Sequence, residues 1–240
     1  MDLNDKVAYI TGGTHGIGFG VAQVLLEAGM RVAISGRKFE IAQKSAMALS
    51  TDENRVIGLQ SDVTQAEDEE KAVRSIIDKF GRLDVVLANA GVGHFAPVHQ
   101  LSTENWNQMI DTNLTGCFHT LRASFESLKE TEGYYITLAS LAGTNFFENG
   151  AGYNASKFGV VGFTQAAMLD LRQFNIKVST IMPGSVKSEF NNHEPSEKDA
   201  WKIQPEDIGI LVLDLLKMHP RTLPSKIEIR PTRPDLKDKV

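Results

Sequence analysis

The sequence predicts an α/β fold: one parallel sheet covered by helices on both faces. Short apolar runs alternate with stretches of helical periodicity from one end of the chain to the other. Nearly every strand-like run is apolar along its whole length, as strands buried on both faces require. The chain has 240 residues, 42% hydrophobic and 23% charged, which suits a soluble globular protein of one undivided α/β unit.

The elements follow in order. KVAYIT (6–11) is the first strand. GIGFGVAQVLLEAG (16–29) has helical spacing and stops at Gly29, a residue type suited to the turn after a helix. RVAIS (31–35) is a strand, residues 39–50 a helix, and RVIGLQ (55–60) the third strand. In TQAEDEEKAVRSIIDKFG (64–81), Thr64 and Glu67 fit a capping box. The run Glu67, Asp68, Glu69 and Glu70 suits the positive end of that helix and reads as its solvated start. LDVVLANAG (83–91) is a strand running into a glycine turn, and 102–130 reads as one long helix. Then come the strand GYYITLAS (133–140), a helix over 153–174, the strand IKVSTIM (176–182), a helix over 205–218 and a last strand, SKIEIR (225–230). With right-handed crossovers this is a doubly wound Rossmann architecture, a mostly parallel seven-stranded sheet in a single domain over 1–240. The irregular stretches are 92–100, 143–151, 184–204 and the tail PTRPDLKDKV (231–240). The first three follow carboxyl ends of strands, where such sheets hold their ligands.

Bulk properties narrow the function. The formal net charge is −5, so no broad basic field exists to hold a nucleic acid backbone or an anionic membrane. The single cysteine, Cys117, reads as a small buried hydrophobe; it cannot form an internal disulfide, and no Cys/His spacing indicates a metal site. The N-terminus lacks the pattern of a signal peptide and no apolar run is long enough to span a bilayer, so a cytoplasmic protein is expected.

YITGGTHGIGFG follows the first strand and opens the first helix, with glycines spaced G-x-x-x-G-x-G at Gly12, Gly16 and Gly18. Gly12 permits a tight turn, Gly16 lets a diphosphate approach the backbone, and Gly18 lets helix and sheet pack closely. The helix N-terminus then offers free N–H groups to the anion. The alternative is a plain glycine-rich turn. The end of the second strand discriminates between cofactors. It reads ISGRK, with Ser35, Gly36, Arg37 and Lys38 and no carboxylate to bind a ribose 2′-hydroxyl. Two cations there favour a 2′-phosphate, and therefore NADP(H) over NAD(H), with His15 as a further donor. Arg37 and Lys38 otherwise only start the next helix. In SDV (61–63), Asp62 either accepts from an adenine amine, with Val63 against the ring, or is a turn residue.

Tyr153 and Lys157 stand one helical turn apart and share a face. A nearby ammonium lowers a phenol's pKa toward the range of a useful acid–base group. Ser140 ends the preceding strand, at the same edge as the tyrosine, where its hydroxyl can hold a substrate oxygen. Together, TGGTHGIG (11–18), NAG (89–91), Ser140, YNASK (153–157) and PGSV (183–186) resemble the short-chain dehydrogenase/reductase (SDR) family, in order and spacing over essentially the whole chain.

The resemblance implies roles. Tyr153 is the proton donor in reduction and the base in oxidation; Lys157 lowers its pKa and holds the nicotinamide ribose; Ser140 orients the substrate carbonyl. Asn113 matches a helix-kinking residue that holds a water between Lys157 and solvent. Thr14 and Ile17 of the glycine turn contact the cofactor, and Asn89, Ala90 and Gly91 back its ribose. Pro183, Gly184 and Val186 line the nicotinamide, and Ser188 replaces the family's frequent Thr with another hydroxyl able to bind the carboxamide.

His94, Phe95, Leu141, Phe146, Phe147, Phe190 and Trp201 are candidate walls of an apolar substrate pocket, or core and subunit contacts. His94 and His193 are further candidates to touch substrate. Residues 187–201 are polar and read as the body of a substrate lid segment that spans about 187–204. The resulting expectation is an NADP(H)-dependent reductase of a small to medium apolar ketone or aldehyde, forming a homodimer or homotetramer. One alternative is a 3-oxoacyl-carrier-protein reductase, disfavoured because KETEG (129–133), RQFNI (172–176) with its Phe174, and the overall acidity do not suit an acidic carrier. The other is a non-catalytic NADP(H) sensor, disfavoured by the presence of both Tyr153 and Lys157.

Overall fold

Continuous apolar strands need cover on both faces, and the structure supplies it. The structure, a computed structural model, describes residues 3–233; residues 1–2 and the end of the predicted irregular tail, 234–240, lie outside the described residues. Strands β1 (Val7–Ile10), β2 (Arg31–Gly36), β3 (Val56–Gln60), β4 (Val85–Ala88), β5 (Tyr134–Leu138), β6 (Lys177–Pro183) and β7 (Lys226–Ile229) form one sheet in the order β3-β2-β1-β4-β5-β6-β7. Every pairing is parallel, so the sheet is wholly rather than mostly parallel. The order reverses direction beside β1, which opens a crevice between the ends of β1 and β4.

Alternation along β1 shows the two-sided burial. Ala8 and Ile10 point into one core with Val21, Leu25 and Val212; Val7 and Tyr9 point into the other with Ile76, Leu121 and Val160. The first core lies under α1 (Gly16–Glu27), α2 (Phe39–Leu49) and α7 (Pro205–Lys217). The second lies under α3 (Ala66–Phe80), α5 (Gly116–Thr131) and α6 (Ala151–Leu171).

Three expectations about helices are corrected. The predicted capping box at Thr64 does not form: the N-cap is Gln65, and the Thr64 hydroxyl donates to Asp62 Oδ1 at 2.8 Å instead. Nor is the acidic run wholly solvated, because Glu69 is fully buried. Its Oε1 accepts from Tyr9 Oη at 2.9 Å and Ser61 Oγ at 2.5 Å, and burial raises its pKa. The long helix over 102–130 is also interrupted. It is α4 (Thr103–Ile110), capped by Ser102, then a π-helical turn over Asp111–Thr115, then α5. The turn exists because Asn113 is drawn inward. Its Oδ1 accepts from Val92 N at 2.8 Å, and its Nδ2 donates to Val92 O and Ser156 Oγ, both at 2.9 Å.

Candidate active site

The glycine turn is shaped by close approaches. Gly12 has φ +61°, and a Cβ there would lie 2.9 Å from Ala90 Cα. Gly16 has φ +55° and faces Ser188, while a Cβ on Gly18 would meet Asn89 Nδ2 at 2.6 Å. Asn89 donates from Nδ2 to the carbonyls of Thr11 (2.8 Å) and Gly12 (2.9 Å), so the β4 end is tied to the glycine turn. The N-cap of α1, His15, makes no side-chain capping bond, and no acidic residue sits in the first turn. No side-chain cap and no acid of α1's own first turn therefore covers the leading N–H groups, and Gly16 and Ile17 border the cleft.

That cleft has a volume of about 1470 Å³ and runs along the carboxyl edge of the sheet. Gly12, Thr14, His15, Gly16 and Ile17 line it from the glycine turn. Arg37 and Lys38 line it after β2, Asp62 and Val63 after β3, and Asn89, Ala90 and Gly91 after β4. Pro183, Gly184, Val186 and Ser188 line it after β6, and Ser140, Tyr153 and Lys157 close its far end. Gly18 is absent from the wall and serves helix–sheet packing. Ser35 is corrected as a cleft residue. It is fully buried, on the opposite side of β2, and its hydroxyl is hydrogen-bonded to Tyr9 Oη at 3.0 Å. Its neighbour Gly36 takes the cleft position, because successive strand residues face opposite ways.

Ser140 ends the β5 segment and caps a short 3-10 turn, accepting from Ala142 N at 3.1 Å. Tyr153 and Lys157 lie on the first turns of α6, which packs against the β5 end. Lys157 is buried, and its Nζ donates to Leu138 O at 2.8 Å. Burial pushes its pKa down to about 8. Burial also pushes the Tyr153 phenol up to about 12, with a hydrogen bond to Ser140 the opposing contribution. The expected lowering of the phenol's pKa by Lys157 is not found: burial sets the shift, and what opposes it comes from Ser140. The Lys157 Nζ lies 5.8 Å from the centre of the Tyr153 ring. Gly91 completes the corner: a Cβ there would stand 3.2 Å from Asn113 Oδ1 and 3.6 Å from Lys157 Nζ.

Three aromatic rings surround Tyr153. Phe95 meets it edge-on at 5.4 Å, Phe190 at 5.6 Å and Phe147 at 6.5 Å between centroids. Of the three, Phe190 lines the cleft, whereas Phe95 and Phe147 do not, Phe147 bordering a second pocket with Phe146 and Phe158; the remaining predicted walls lie elsewhere. Phe146 stacks on Phe158 at 5.1 Å and is 82% exposed. His94 bonds Gln108 at 2.7 Å, Leu141 packs beside Gly184, and the Trp201 ring lies under Lys202; none of the three lines the cleft. Sequence reasoning missed Gln108, Asp111, Thr112 and Thr115, which the π turn and the end of α4 bring to the wall. The only signal for them was their proximity to Asn113. Lys202 was also missed, because nothing in a lid sequence says which side chains turn inward.

A diphosphate dinucleotide fits this geometry. The glycines clear the approach to α1, cations stand at one end, and a hydroxyl-and-amine cluster stands at the other.

Comparison with known proteins agrees. A family model described as short chain dehydrogenase matches residues 6–199. An uncharacterized oxidoreductase of Staphylococcus aureus (strain MW2) is 32% identical over 231 residues, covering 95% of this chain and 98% of that protein. A trans-4-hydroxycyclohexanecarboxylate dehydrogenase of Sinomonas cyclohexanicum is 35% identical over 190 residues, 77% of this chain and 73% of that one. Among solved structures, an alcohol dehydrogenase from the archaeon Thermococcus sibiricus, complexed with 5-hydroxy-NADP, superposes with a TM-score of 0.89 at 30% identity. It covers 95% of this chain and 98% of that one.

Proposed function

The chain belongs to the short chain dehydrogenase family of oxidoreductases, and from that premise we propose that it is an NADP(H)-dependent carbonyl reductase. It converts a small ketone or aldehyde to the alcohol, reversibly. The observation that carries this reading is the convergence of Ser140, Tyr153 and Lys157 on the cleft that also holds the uncapped start of α1.

The nicotinamide supplies the hydride when bound. The chain's own residues do the rest. Ser140 holds the carbonyl oxygen beside Tyr153. The phenol, kept protonated at neutral pH by its burial, is set to give its proton to that oxygen. Lys157 carries positive charge below about pH 8 and stabilises the phenolate as it develops. Asn113 fixes Val92 and Ser156 around this corner, and the proton path to solvent implied by the family resemblance runs past it. Phe95, Phe147 and Phe190 exclude water from the reacting carbon and set an apolar preference.

Arg37 and Lys38 support the NADP(H) preference, because they line the cleft after β2 where no carboxylate opposes a 2′-phosphate. The alcohol dehydrogenase from Thermococcus sibiricus, solved with an NADP derivative, adds support. The test is cofactor oxidation, followed by absorbance, against ketones, diketones, aldehydes, acyl thioesters and 4-oxocyclohexanecarboxylate. NADPH and NADH are run in parallel. Turnover favouring NADPH upholds the reading. Tight NADPH binding without turnover of any member would point to a sensor, and faster turnover with NADH would overturn the role of Arg37.

A further inference from the structure

Two of the lid's titratable side chains turn toward the cleft. Between Lys187 and Lys202 the lid carries Lys187, Glu189, His193, Glu194, Glu197, Lys198, Asp199 and Lys202. The titratable side chains among these that line the cleft are His193 and Lys202. Glu194 and Glu197 are exposed, and Glu189 lies beside Gly16 at the glycine turn.

Behind the two inward groups stands one buried carboxylate. Asp199 is 4% exposed. Its Oδ1 meets Lys202 Nζ at 2.6 Å, and its Oδ2 accepts from His193 Nε2 at 2.8 Å and from Ser196 N at 2.9 Å. The Lys202 ammonium and these donors hold its carboxyl well below the usual carboxylate range. An ionised acceptor leaves Nε2 of His193 as the donor, which commits that N–H to Asp199 and makes His193 a support for the carboxylate rather than a donor to the cleft. Lys202 has three N–H groups and Asp199 one negative charge, so the pair keeps donor capacity toward the cleft.

The lid strip is also anchored to the reacting end. Phe190 packs on Tyr153, and His193 follows three residues later, within roughly 11 Å of chain. At its other end, Val186 bridges Ile203 in parallel, which places Lys202 beside the strip. A small molecule with its carbonyl at Tyr153 therefore has its far end within reach of this segment.

We propose that Lys202, positioned by Asp199, binds a carboxylate on the substrate, so that the preferred substrates are oxo acids with an apolar body. This rests on the carbonyl reductase reading and deepens it. The aromatic rings around Tyr153 hold the apolar body, and the lid cation selects the charged end. The cofactor's diphosphate is the other anion the cleft receives, and the test separates the two.

The probe pair is 4-oxocyclohexanecarboxylate and its methyl ester, which differ in that charge. Wild-type enzyme is expected to favour the acid in kcat/KM by roughly tenfold to a hundredfold, the range of a hydrogen bond to a charged group. In Lys202→Met the acid-to-ester ratio falls toward one, and Lys202→Arg restores most of it. Equal preference for acid and ester in wild type overturns the proposal. So does Lys202→Met if it weakens NADPH binding and slows both substrates alike, an outcome that assigns Lys202 to the diphosphate. Failure of wild type to reduce any carbonyl in the wider panel removes the reductase reading and this one with it.

Discussion

The floor of the cleft and its lid are built on opposite terms. The floor is made of strand ends and the first turns of α1 and α6, and its polar groups are buried or half-buried and bonded to the backbone: Lys157 to Leu138 O, Asn113 to Val92, Asn89 to Thr11 and Gly12. The lid is exposed along most of its length. It is held by a two-residue bridge, Phe190 on Tyr153, and the single buried carboxylate of Asp199. The difference teaches where each property resides. Acid–base chemistry needs groups fixed within tenths of an ångström, so it is set in the core. Substrate choice tolerates adjustment, and the proposed carboxylate contact accordingly falls on a segment that is mostly exposed.

Substitutions can break that contrast, and the largest effect belongs to the floor. Tyr153→Phe removes the proton donor and is expected to cut kcat by roughly 10²–10⁴-fold, the usual contribution of general acid catalysis, while NADPH affinity by fluorescence titration stays near wild type. Retained turnover would remove Tyr153 from the chemistry. Next comes the cofactor end. Arg37→Ser is expected to lower the NADPH-to-NADH ratio of kcat/KM by about tenfold to a hundredfold, from the loss of a charge-assisted bond; an unchanged ratio would make Arg37 a surface residue.

The pH profile distinguishes the two regions without mutation. Lys157, pushed down to about 8, is charged below that pH and neutral above it, whereas Tyr153 stays protonated up to about 12. The reduction rate should therefore be flat on the acid side and fall as pH rises through about 8. A break well above that value would mean that the ammonium retains its charge against burial. Within the lid, Phe190→Ala is expected to raise KM several-fold with a smaller change in kcat, because it strips an apolar wall and leaves the donor in place. A loss confined to kcat would instead show that Phe190 orients the phenol.

The smallest effect concerns Glu69. Its pKa is raised by burial, so its favourable contribution is complete below the ordinary carboxylate value and is lost as pH rises through the folded-state value. Glu69→Gln lacks this loss. Its urea midpoint should gain on wild type as pH increases across that window, and a constant difference would show that Glu69 ionises as an exposed acid.

The sequence alone determined the parts that depend on local pattern. Alternating apolar runs and helical periodicity predicted seven strands and the helices over them. Glycine spacing predicted the turn at Gly12 and Gly16, whose positive φ only glycine adopts readily. The four-residue spacing of Tyr153 and Lys157 placed both on one helix face, and the aromatic character of residues 95, 147 and 190 anticipated the rings around Tyr153. The tertiary structure decided whatever depends on which neighbour arrives. It turned Ser35 to Tyr9 and gave the cleft Gly36, since one residue along a strand exchanges one face for the other. It replaced a helical cap at Thr64 with a bond to Asp62, and buried Glu69 in a run of acids otherwise suited to solvent. It set the proton affinities of Tyr153 and Lys157 through burial, and it chose His193 and Lys202 to face the cleft from a lid of mixed charge. Periodicity and spacing are properties of adjacent residues, whereas desolvation and pairing are properties of the surroundings that a distant part of the chain provides.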